Sequence, residues 1–147
     1  MGEHHGLTTL VHKDIPSQTT NQVNFGPEVE SLTVQIWLNK ECFLLHNIYN
    51  TGSEININPV QHIGKSLLLG DFNAHHPTWS QGTPNMAGRL IDEQLTNLDT
   101  YVLMNGDNGI YTPTTKHGSV IDLSIVHVEI AMKSNWSIYD GLISDHL

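Results

Sequence analysis

The run Leu67-Leu68-Leu69-Gly70-Asp71-Phe72-Asn73-Ala74-His75-His76 constrains this chain more than any other segment. Three consecutive leucines after Lys65-Ser66 read as a short strand of the kind buried on both faces of a sheet. A glycine, a carboxylate, an amide and two imidazoles follow at once. A strand ending in such a cluster sets polar groups at the rim of a sheet, where open α/β folds build their sites. Asp71 and Asn73 are two residues apart, so a strand continuing through both projects them from one face. A carboxylate able to take a proton beside an amide able to hold an oxygen suits attack of water on phosphorus.

Two further segments follow in order. Ser119-Val120-Ile121-Asp122-Leu123-Ser124-Ile125-Val126 has a strand pattern with one carboxylate, and Ser144-Asp145-His146 stands near the carboxyl end. An aspartate between Ile121 and Leu123 in a core strand costs several kcal/mol unless partnered. The alternative is a strand-end aspartate on a solvent face shared with Ser124.

The rest of the chain reads as alternating strands with few helices. Leu7 to His12 is a short strand, and residues 17–30 form a polar loop or irregular edge. From Ser31 the alternation of Leu32, Val34, Ile36 and Leu38 predicts a strand. Asn39-Lys40-Glu41 turns the chain into a central apolar strand over Cys42 to Tyr49. Residues 50–64 are turn-rich with room for a short helix. A helix is expected from about Pro84 to Leu98, capped by Thr83, with Met86, Leu90, Ile91, Leu95 and Leu98 as its apolar stripe. Tyr101 to Met104, Ser119 to Val126 and Trp136 to Tyr139 supply further strands, and Asn105 to Gly118 a long polar loop. This is an α/β (α+β) pattern.

Composition narrows the classes. At 147 residues the chain is one domain or part of one, and 38% apolar with 14% charged residues is a globular profile. The single cysteine, Cys42, excludes an intramolecular disulfide and any multi-cysteine zinc site, and its apolar neighbours predict burial. Ten histidines show no zinc spacing. No stretch has transmembrane length and the start has no apolar signal core, so an intracellular, membrane-free protein is expected. Six Lys and Arg against a net charge of −9 leave no basic stripe for a phosphate backbone.

Taken together, Gly-Asp-Phe-Asn-Ala-His-His, Ser-x-Ile-Asp-Leu and Ser-Asp-His resemble the endonuclease/exonuclease/phosphatase superfamily, most closely the apurinic-type endonuclease domain of non-LTR (LINE-like) retrotransposons. The resemblance runs from about Gly6 to the end. It implies a partial four-layer sandwich of two packed mixed sheets with outer helices. It also implies a metal-dependent DNA nickase using Mg²⁺ or Mn²⁺, a reverse transcriptase domain in the parent polypeptide, and a nuclear location. By the same resemblance Asp71 positions or deprotonates water, Asn73 holds the phosphate, and Tyr49 touches it. Asp122 orients His146, His146 contacts the scissile phosphate, and Asp145 holds the metal. His75, His76, Thr112 and Ser119 stand near substrate. The family's earlier metal-site asparagine and glutamate have no counterpart, so a truncated domain of 1–147 with impaired activity is expected. A non-catalytic remnant or interaction module of this fold, or a phosphoesterase acting on another substrate, are the alternatives.

Overall fold

A computed structural model of the chain describes residues 6–80, 82–104 and 122–135. These form a six-stranded mixed sheet in the order β1-β2-β3-β4-β6-β5. The strands are β1 (Ser17–Thr19), β2 (Val29–Leu38), β3 (Glu41–Asn50), β4 (Ser66–Asp71), β5 (Tyr101–Leu103) and β6 (Asp122–His127). Two helices, α1 (Met86–Asn97) and α2 (Val128–Ala131), and a 3₁₀ turn over Asn58–His62 complete the described elements. Only β3 and β4 pair in parallel; every other neighbouring pair is antiparallel. The mixed α/β expectation is met by this sheet, and a second packed sheet is not among the described residues.

The β2–β3 hairpin explains the centre. Asn39 and Lys40 both take positive φ, 50° and 66°, the backbone of a two-residue type I′ turn that matches strand twist. Leu38 then pairs with Glu41, and the register runs without a break to Val29 opposite Asn50. Chain alternation sends Ile48, Leu68, Leu123 and Ile125 to one face, where they meet Phe25, Ile55, Ile57, Val60, Phe72, Trp79, Ala87, Ile91, Leu98 and Tyr101 in one core. Gln94 of α1 fastens the crossover between β3 and β4. Its Oε1 accepts from Ile57 N–H at 2.6 Å and its Nε2 donates to Ile55 O at 2.8 Å.

A polar relay lies inside this core. His46 is fully buried between Thr33 and Ser66, its Nδ1 2.8 Å from Thr33 Oγ1 and its Nε2 2.9 Å from Ser66 Oγ. Ser66 Oγ donates to the Gly64 carbonyl at 3.2 Å, which leaves its lone pairs for His46 Nε2–H. Nδ1 then accepts from Thr33, and the neutral ring is satisfied on both sides. Desolvation pushes the His46 imidazole down from its ordinary value to about 4. Phe25 meets the ring edge-on with centroids 5.3 Å apart.

Several sequence expectations are corrected. Leu7 to His12 is not a strand, and Leu10 is exposed. This segment instead meets β3 through the Asn47 side chain, whose Nδ2 donates to the Thr8 main-chain carbonyl at 3.2 Å. The edge beside β2 is taken by Ser17–Thr19, inside the expected loop. Cys42 is exposed, because it sits beside the hairpin turn, beyond the core. Leu68 is wholly buried whereas Leu67 and Leu69 are half-buried, since the second face mixes apolar residues with Asn47 and Ser124. Helix α1 begins two residues later than expected: its cap is Asn85, not Thr83, and Met86 is exposed while Ala87 carries the apolar stripe inward.

Candidate functional site

The sheet gathers the motif residues at one rim. β3 and β4 run in parallel and end together, so Tyr49 pairs with Asp71. β6 runs the other way and begins there, so Asp122 pairs with Asp71. β2 adds Glu30 opposite Tyr49. Directly paired residues share a face, so Glu30, Tyr49, Asp71 and Asp122 make one row across four strands. It lies at the carboxyl ends of the parallel strands, the edge where open α/β sheets bind ligands.

Two carboxylates directly opposite on neighbouring strands repel unless other groups compensate. All four residues of the row are engaged by partners, and none is free. Asp71 also folds the chain behind it: Asn73 N–H donates to Asp71 Oδ1 at 2.9 Å, and Asn73 takes φ 49°. This is an Asx turn. β4 therefore ends at Asp71 and does not carry Asn73 on the same strand face. Phe72, wholly buried, points into the core, and exposed Asn73 leaves the sheet at the turn. Asn50 Nδ2 donates to Phe72 O at 2.9 Å and holds that corner against the end of β3.

Gly70 makes the close pairing possible. Its φ is +140°, and a Cβ there would lie 2.1 Å from the Ile48 carbonyl oxygen. The glycine before Asp71 is thus a requirement of backbone approach, one residue ahead of the carboxylate.

The two histidines part company. His76 faces the helix: its Nδ1 accepts from Thr78 N–H at 3.2 Å, its Nε2 is 3.6 Å from Asp92 Oδ2, and its ring lies 5.2 Å from that of Trp79. Trp79 Nε1 donates to Ala74 O at 3.0 Å beneath the loop. His75 is tied by its backbone, with N–H donating to Asn85 Oδ1 at 3.0 Å. Neither histidine lies on a strand of the register row. Asp122 is exposed and shares its face with Ser124, so it is the solvent-face aspartate of the two readings and not a core carboxylate. Thr112, Ser119, Asp145 and His146 lie outside the described residues.

Sequence reading missed Glu30 and Asn50. Glu30 had a usable signal, because the alternation of Leu32, Val34 and Ile36 extends back onto it. Asn50 had none.

Positive charge is gathered at the opposite rim. Lys65 pairs with Glu129, and Lys133 with Glu41 at 2.6 Å, which join α2 to the starts of β3 and β4. The Lys65 ammonium holds its proton more tightly through its bond to Glu129, and the Glu129 and Glu41 carboxyls fall below their ordinary range through their bonds to Lys65 and Lys133. Lys40 sits in the hairpin turn at the same end.

Chemically, the row offers hard carboxylate oxygens and a phenol on one face. Such oxygens are the donors that Mg²⁺ and Mn²⁺ take. Among the described residues, however, no group of three or more His, Cys, Asp or Glu side chains is arranged to hold a metal ion.

The described strands define the class of the domain, a mixed α/β fold with a polar row at one rim of its sheet. The endonuclease domain of TRAS1, a telomere-specific non-LTR retrotransposon, superposes with a TM-score of 0.66 over 90% of this chain at 18% sequence identity. The chain spans 64% of that domain's length. The family described as endonuclease-reverse transcriptase matches residues 39–147. The chain belongs to this family, within the endonuclease/exonuclease/phosphatase superfamily, and shares its fold with the TRAS1 domain. No curated protein matches it. No helix among the described residues is long and apolar enough to cross a membrane.

Proposed function

We propose that this domain is a metal-dependent phosphodiester hydrolase that nicks DNA, working beside a reverse transcriptase in its parent polypeptide. The observation that carries the reading is the register row of Tyr49, Asp71 and Asp122 on one face at the rim of the sheet. Hydrolysis of a phosphodiester requires an oriented water, neutralised phosphate oxygens and help for the departing oxygen. Asp71 is the group to orient the water and draw its proton. Tyr49, on the neighbouring strand, donates its hydroxyl to a phosphate oxygen of the substrate. Asn73, exposed on the turn that Asp71 organises, holds a second oxygen. The family resemblance gives Asp122 the role of orienting His146 and Asp145 that of a further carboxylate for a divalent cation, and both His146 and Asp145 lie outside the described residues. Bound Mg²⁺ or Mn²⁺ supplies the positive charge that the few Lys and Arg side chains do not.

The test is conversion of supercoiled plasmid to open circles by the purified chain, with Mg²⁺ and with chelator, beside Asp71→Asn. Nicking that needs the cation and falls by two orders of magnitude or more in the variant, on the order of ~10²-fold, supports the assignment. Equal nicking by wild type and variant defeats it.

A further inference from the structure

The turn that carries Asn73 and His75 is fastened to α1 through one side chain. Asn85 Oδ1 accepts from Gly88 N–H at 2.8 Å, which caps the helix. The same oxygen accepts from His75 N–H at 3.0 Å. Asn85 Nδ2 donates to the Asn73 carbonyl at 2.8 Å, and Asn85 N–H donates to the His75 carbonyl at 3.0 Å. Two N–H groups converge on one end of the amide and a carbonyl on the other, so its orientation is fixed by its partners. The contact is closed further by Gly88, where a Cβ would stand 1.9 Å from the His75 carbonyl oxygen.

We infer that Asn85 is a positioning residue: it holds the backbone of residues 73–75 in place over the helix terminus, separately from its work as a cap. This rests on the nuclease reading above, in which Asn73 holds a phosphate oxygen. Asn73 is exposed and has left the sheet, so the strand ladder does not hold it. Its position is set by the Asx bond to Asp71 on one side and by Asn85 on the other. A misplacement of about 1 Å at such a group costs on the order of 100-fold in rate.

The two roles of Asn85 separate in Asn85→Asp. Aspartate keeps both Oδ acceptor bonds and is an equally good cap, but it loses the donor to Asn73 O and sets a carboxylate against that carbonyl. The expected result is an α1 whose amides stay protected and a thermal midpoint within about 5 °C of wild type. The amides of residues 73–76 should exchange about tenfold faster or more. In plasmid nicking, kcat should fall about 10- to 100-fold with little change in KM. Unchanged exchange at residues 73–76 overturns the inference, as does unchanged kcat in a wild type that nicks. A wild type that does not nick refutes the nuclease reading instead, and the exchange comparison then decides the clamp alone: faster exchange upholds it and equal exchange ends it.

Discussion

Acid should destabilise this domain through one buried imidazole, by an amount the structure allows to be worked out. His46 is neutral in the fold at pH 7 because burial holds its affinity for protons down to about 4, against 6.5 for an exposed histidine. The unfolded chain therefore binds a proton at this site at a higher pH than the folded chain does. Stability is full above pH 6.5, declines as pH falls through the window between 6.5 and 4, and levels off below. The full shift corresponds to about 3 kcal/mol, of which about 2 kcal/mol is gone by pH 5. Urea unfolding at pH 7.5 and 5.0 measures the loss. His46→Gln supplies the control, since an amide still offers a donor and an acceptor to Thr33 and Ser66 but does not titrate. The wild type should lose about 2 kcal/mol more than the variant between those pH values. Equal losses, or an imidazole that titrates near 6.5 by NMR in the folded protein, would refute the reasoning.

Four other outcomes follow from the same geometry. Gly88→Ala gains up to about 1 kcal/mol in helix propensity but drives a Cβ into the His75 carbonyl; the net should be a loss of about 2 kcal/mol or more by thermal denaturation. Trp79→Phe keeps an aromatic ring but loses the bond to Ala74 O and empties part of the buried indole's volume, for a loss of about 2 kcal/mol in the same assay. Glu41→Gln removes an exposed ion pair and should leave the thermal midpoint unchanged within error at 0.15 M salt, a concentration on the order of physiological ionic strength. Lys40, Lys65 and Lys133 lie at the rim opposite the site, so at most Lys13, Arg89 and Lys116 remain for phosphate. Nicking affinity should then fall by no more than about forty-fold between ~50 and ~200 mM salt, the slope for about three contacts.

Much of this was legible in the residues. The two long strands and their hairpin follow from unbroken alternation and a two-residue turn, and the Leu67 to Asp71 strand from its apolar run. The rim emerged because β3 and β4 end in polar residues and β6 starts with one. What sequence did not give has specific causes. Leu7 to His12 is rich enough in strand-forming residues to read as a strand, but Ser17–Thr19 takes the edge beside β2. Thr83-Pro84 is a sound helix start in isolation. Asn85 displaces it because its amide serves the helix and the Asn73 turn at once. Asn73 was read along a continuing strand, whereas its own N–H closes a turn on Asp71, a choice made by a local bond that spacing does not reveal. Burial of Cys42 was inferred from its neighbours, yet its distance from the core is set by where the hairpin turns.

The claim beneath the functional reading is that Asp71 and Asp122, adjacent across the β4–β6 ladder, work as one catalytic unit. A double-mutant cycle in plasmid nicking measures this directly, using Asp71→Asn, Asp122→Asn and the pair. Residues acting as a unit give single losses nearly as large as the double loss, on the order of ~10²-fold or more for each. Losses that multiply as independent effects, or an Asp122→Asn enzyme as fast as wild type, would contradict it.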